Sequence, residues 1–167
     1  MPIEPGTPLP DATLTESTEF GEACPVSPTK LSAAEAARGK RIVIFGLPGA
    51  YTPTCSAKHV PGYLEKLEQL RQKGVDEVWC VSVNDGYVMA AWGREQKGIG
   101  KIRFLGDGSG EFARKLGLDV DLSASGMGLR MRRCSLLVED GVVRRVNVEA
   151  PGKFEVSDAG TLLAQLG

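Results

Sequence analysis

Apolar residues in this chain gather into short dense runs, and these alternate with stretches whose apolar positions recur every three or four residues. The run RIVIFGL, residues 41–47, is almost unbroken and predicts a strand covered on both faces. After PGAYTPT the period changes, with Val60, Tyr63, Leu64 and Leu67 marking one face of a helix. That helix is predicted over 54–73, kinked at Pro61 and stopped by Gly74. VWCVSV, residues 78–83, predicts another buried strand, followed by a helix over 87–97, a strand over 102–105 and a short helix over 111–116. SLLVEDGVVRRVNV, residues 135–148, predicts a hairpin turning at Glu139-Asp140-Gly141. A last helix is expected over 158–166 with Ser157 as its cap.

The N-terminal part is less regular. MPIEPGTPLP is rich in proline and reads as an arm. Alternation over 13–18 and 24–31 predicts two short strands joined near Gly21, and Ser32 caps a brief alanine-rich helix that Gly39 ends. Strands interleaved with helices, then a closing hairpin and helix, predict an α/β sandwich: a central mixed β-sheet flanked by helices, with an N-terminal hairpin. No repeat or linker divides the chain, so residues 1–167 are expected to form a single domain.

Charge narrows the function. Twenty Lys and Arg face twenty-one Asp and Glu, a formal charge of −1, which disfavours a dedicated nucleic-acid binder. No run approaches a membrane span and no secretory leader opens the chain; a soluble cytoplasmic protein is expected. Cys24, Cys55, Cys80 and Cys134 lack metal-ligand spacing and His59 is the only histidine, so no metal is expected. Nor does a chain of this kind call for a disulfide scaffold. The cysteines are then small buried hydrophobes, unless one is reactive.

Cys55 is the candidate. It follows Pro48-Gly49-Ala50-Tyr51-Thr52-Pro53-Thr54, where the central strand feeds the long helix. There it meets unpaired backbone N–H groups and the positive end of the helix dipole, both of which favour a thiolate. Lowering a thiol pKa from about 8.5 to about 6 raises its thiolate content only about thirty-fold at pH 7. Acidity alone therefore cannot make a fast nucleophile, and donors must stabilise the departing group. Thr52 offers a hydroxyl, and the N–H groups of Thr54 and Cys55 offer more. A fixed cation is available in Arg130-Met131-Arg132-Arg133, where strand alternation predicts that Arg132 and Arg133 face opposite sides. His59 could share a helical face with Cys55, which raises a Cys–His hydrolase as a rival, although no orienting carboxylate is evident.

PGAYTPTCS fits the pattern P-x-x-x-T-x-x-C and resembles the peroxiredoxins, in particular their type II, or peroxiredoxin-5-like, subfamily. CPVSPTKLS, KHVPGY, GVDEVWCVSVNDGYVMAAW, DLSASGMGLRMRR and SLLVEDGVV are similar to segments of that subfamily, so the likeness runs from about Cys24 to the C-terminus. It implies a thioredoxin-like fold and a peroxidase reducing hydrogen peroxide or alkyl hydroperoxides without metal or flavin. Cys55 corresponds to the attacking cysteine, Thr52 to the threonine that bonds the peroxide, Pro48 to the proline shielding the pocket and Arg133 to the arginine holding thiolate and peroxide. Recycling is implied to need an external thiol such as glutathione, glutaredoxin or thioredoxin, or Cys80 as a resolving cysteine. The predicted burial of Cys80 in a strand favours the external donor. Residues 150–157, where some members carry a resolving cysteine, contain none. A homodimer is also implied. The alternative is a redox-sensing or chaperone-like protein of the same fold.

Overall fold

The computed structural model describes residues 1–167. Its centre is β3 (Arg41–Gly46), flanked by β4 (Glu77–Ser82) and β8 (Cys134–Glu139). Seven strands form one sheet in the order β2 (Thr29–Ser32), β1 (Thr13–Glu16), β5 (Arg103–Gly106), β4, β3, β8 and β9 (Val142–Val148). β3, β4 and β5 run parallel, and the remaining pairings are antiparallel. The expected mixed sheet is present.

Side-chain alternation splits the core in two. Ile42 and Ile44 of β3 pack with Trp79, Val81, Leu136 and Val138 on one face, covered by α1 (Ala33–Ala37) and α5 (Glu111–Lys115). Val43, Phe45 and Leu47 project to the other face with Cys80, Tyr63, Leu70, Met89 and Trp92. Burying each of the larger side chains contributes roughly 1.5–3 kcal/mol relative to exposure. The second face is covered by α2 (Val60–Glu65), α3 (Leu67–Gln72), α4 (Gly86–Glu95) and α6 (Ala159–Gln165). Cys55 and Cys80 lie in this same layer.

Several expectations need correction. The helix predicted over 54–73 is three pieces: a π-helical turn Cys55–His59, then α2, then α3 after a break at Lys66. Pro61, lacking an N–H and crowding the preceding turn, follows a turn widened so that the Val60 N–H reaches the Cys55 carbonyl. Residues 24–28 form no strand, because Gly21 and Cys24 close a turn and β2 begins only at Thr29. Asp158, not Ser157, caps α6, accepting from the Thr161 N–H, while Ser157 is buried and engaged elsewhere. A short hairpin of β6 (Asp119–Asp121) and β7 (Leu129–Met131) was not foreseen; its strands are too brief to show a period. By contrast, the β8–β9 turn falls on Asp140 and Gly141, both at positive φ (+45° and +77°), which an Asp-Gly pair tolerates. No helix of the chain is long and apolar enough to cross a membrane.

Candidate active site

Cys55 sits where β3 ends and the helical layer begins. The chain leaves the strand through Leu47 and Pro48, reverses at Tyr51, whose φ is +66°, and enters the helix with Ser56 N–H bonded to the Thr52 carbonyl. The N–H groups of Thr54 and Cys55 have no hydrogen-bond partner. Cys55 itself is fully buried. Its sulfur accepts a hydrogen bond from Nη2 of Arg133 at 3.2 Å.

That guanidinium is held from behind. Nη1 of Arg133 donates to Nδ1 of His59 at 2.9 Å, and Nε2 of His59 lies 3.1 Å from the Ser157 carbonyl, which only accepts. The imidazole is therefore neutral, with its proton on Nε2. The Tyr63 hydroxyl donates to the same carbonyl at 2.9 Å. Ser157 is fixed by Glu149, whose Oε2 accepts from both its N–H and its hydroxyl. Burial would raise the Glu149 carboxyl, but the bonds from Ser157, Glu155 and Val156 outweigh it and hold the group below the usual carboxylate range. Both ring nitrogens of His59 are occupied, so the Cys–His hydrolase loses its base.

Burial and the Arg133 charge push His59 down from 6.5 to about 3. The unfolded chain takes up a proton near pH 6.5 that the folded chain refuses until about pH 3, so acid favours unfolding. The His59 contribution to stability is complete above that window. It is expected to fall by about 1.4 kcal/mol per pH unit below about pH 6.5. Urea unfolding between pH 7 and pH 5 checks this: His59→Gln, which cannot titrate, should show a slope shallower by about one proton. An unchanged slope would count against it.

The remaining candidates fall around this axis. The Thr52 hydroxyl donates to the Gly49 carbonyl at 2.7 Å, so its hydrogen is engaged and its oxygen is left as an acceptor. Pro48 and Thr54 line a cavity of about 260 Å³ together with Arg133, Arg132, Phe154 and Lys153, among others. Arg132 and Arg133 both line it, contrary to the alternation argument, because they sit in the irregular link between β7 and β8 rather than in a strand. Cys80 is fully buried in β4, and burial foremost pushes its thiol well above the ordinary range. Cys134 is pushed up to about 12 by burial, Cys24 is exposed, and all four thiols are free.

Some supporting residues were missed in the sequence. Arg130, part of the cluster offered as the source of a fixed cation, instead donates to the Pro48 carbonyl at 3.2 Å and the Met127 carbonyl at 2.9 Å, latching the loop before Cys55. Asn84 accepts from the Ala50 N–H, and Trp92 donates to the Ser56 hydroxyl at 3.0 Å. Phe154, from the loop noted only for lacking a cysteine, stands 5.9 Å from the Arg133 guanidinium carbon and 5.0 Å from the His59 ring. No group of three or more His, Cys, Asp or Glu converges to hold a metal ion.

Residues 4–163 match the Redoxin family. The chain is 46% identical over 165 residues to Peroxiredoxin-2B of Arabidopsis thaliana, covering 99% of each protein. The chain belongs to the peroxiredoxins. The structure of reduced Prx3 of Vibrio vulnificus in complex with hydrogen peroxide superimposes with a TM-score of 0.90 at 44% identity, covering 99% of both chains. A Burkholderia cenocepacia protein provisionally described as a thioredoxin reductase gives 0.94 at 55% identity, covering 100% of this chain and 99% of its own. That description is at odds with the peroxiredoxin relatives, so the likeness contributes the fold alone. This peroxiredoxin has the thioredoxin-like α/β fold and is a thiol peroxidase.

Proposed function

We propose that this peroxiredoxin reduces hydrogen peroxide and alkyl hydroperoxides through Cys55, which becomes a sulfenic acid and is restored by glutathione, glutaredoxin or thioredoxin. The observation that carries the reading is the 3.2 Å bond to the Cys55 sulfur from Arg133, which itself lines the cavity. The ionised sulfur attacks one peroxide oxygen; an S–O bond forms as the O–O bond breaks. The departing oxygen keeps the bonding pair, takes a proton and leaves as water or alcohol, while the sulfur is oxidised by two electrons. A guanidinium that already touches the sulfur stabilises negative charge first there and then on the leaving oxygen. Thr52 presents lone pairs to the peroxide O–H, the free N–H groups of Thr54 and Cys55 add donors, and the Pro48 ring keeps water from the sulfur.

The sulfenic acid condenses with an external thiol, releasing water and leaving a mixed disulfide; a second thiol attacks the donor's sulfur, forms the donor disulfide and expels Cys55 as the thiolate. The burial of Cys80 supports an external donor over an internal one, since a sealed, protonated thiol exchanges slowly. After one equivalent of peroxide, mass spectrometry is expected to show one added oxygen on Cys55, or an adduct with the supplied thiol. Cys80→Ser should keep its turnover with glutathione and glutaredoxin. A Cys55–Cys80 bond, or a Cys80→Ser protein that stalls after one turnover with every donor, would transfer the resolving role to Cys80.

A further inference from the structure

The cavity beside Arg133 is larger than hydrogen peroxide needs. Its volume is about 260 Å³, whereas one water occupies about 30 Å³ of the liquid and hydrogen peroxide is only two oxygens across. Its lining includes the apolar side chains of Val120, Leu122, Pro151 and Phe154. It also includes the cations Arg132 and Lys153, and neither lies within ion-pair distance of a carboxylate. Arg132 has only the Glu149 carbonyl, at 3.4 Å. The one acid in the lining, Glu149, points its carboxylate into its own loop, where the N–H groups of Glu155, Val156 and Ser157 occupy it. The space therefore combines an apolar surface with two unneutralised positive charges, beside the arginine that bonds the reacting sulfur.

We propose that this cavity is a subsite for hydroperoxides bearing a carboxylate, with Arg132 and Lys153 holding the carboxylate and Phe154 and Leu122 covering the carbon skeleton. The proposal rests on Cys55 as the attacking group. A guanidinium fork suits a carboxylate, and binding the remote part of a substrate can be spent on orienting its reacting end. Hydrogen peroxide and neutral hydroperoxides reach the sulfur without that anchor.

The test is single-turnover oxidation of the reduced protein by two probes of nearly equal shape: cumene hydroperoxide with a para-carboxylate and the same molecule with a para-carboxamide. At low ionic strength the carboxylate is expected to react about tenfold faster, and the advantage should shrink as salt is added. Arg132→Gln combined with Lys153→Gln should bring the ratio near one. Lys153 is exposed, so Lys153→Gln alone should lower the ratio without burdening the fold. Equal rates for the two probes, or a ratio that Lys153→Gln leaves unchanged, would overturn the subsite. A carboxylate-bearing thiol offers the same chemistry; if charge preference appears only when the oxidised protein is reduced by a thiol carboxylate against its amide, the subsite belongs to the reductant and the proposal fails. Failure of both probes on a protein that hydrogen peroxide does oxidise would also overturn the subsite, whereas oxidation by neither the probes nor hydrogen peroxide would remove Cys55 as the attacking group.

Discussion

Cys55→Ser is expected to show no peroxide turnover above background while keeping the wild-type circular dichroism spectrum. A serine hydroxyl stays protonated near neutral pH, and its oxygen has no counterpart to the two-electron oxidation that sulfur undergoes. The smaller oxygen still accepts from Arg133, so the guanidinium is not left without a partner and the surroundings have little reason to rearrange. The measurement is peroxide consumption with saturating thiol donor. Turnover at the wild-type rate would end the assignment of Cys55, whatever the fold.

Arg133 carries the second large effect. Its two terminal nitrogens do separate tasks, one on the Cys55 sulfur and one on His59. Arg133→Met removes both, along with the charge, and is expected to lower the second-order rate constant with hydrogen peroxide by about 10²–10³. Arg133→Lys keeps a charge but has no fork to bridge sulfur and imidazole, so its loss should be about ten- to a hundredfold. Stopped-flow fluorescence against peroxide concentration reads both. An Arg133→Lys protein as fast as wild type would mean that charge alone suffices and that the His59 support is incidental.

The parts of this molecule legible in its sequence are those governed by short-range pattern. RIVIFGL announces a strand buried on both sides because both sheet faces are covered, and Ile42 and Val43 do go to opposite cores. Asp140-Gly141 announces its turn through backbone chemistry alone. The helix-start position brought Cys55 and Thr52 forward and the family likeness singled out Pro48 and Arg133; in the structure Arg133 reaches the Cys55 sulfur, Thr52 bonds the Gly49 carbonyl in the same loop, and Pro48 lines the cavity with Arg133. Long-range contacts were not legible. His59 meets the carbonyl of Ser157, and Arg130 meets that of Pro48, across separations that no periodicity encodes. The Arg132–Arg133 pair misled because alternation was applied to residues that belong to no strand. Ser157 resembles a helix cap in sequence, but the neighbouring Asp158 takes the role and leaves Ser157 to Glu149.

Glu149 gives the loop over residues 149–157 an unusual dependency. Three successive amides and a hydroxyl converge on one carboxylate, and the same loop supplies Phe154 and the carbonyl that steadies His59. The group ionises more readily folded than unfolded, so its support is present at neutral pH and withdrawn as pH falls through its lowered pKa. Adding one proton there cancels the charge that those three amides and that hydroxyl share. In acid the brace behind Arg133 and His59 is expected to slacken from that one position.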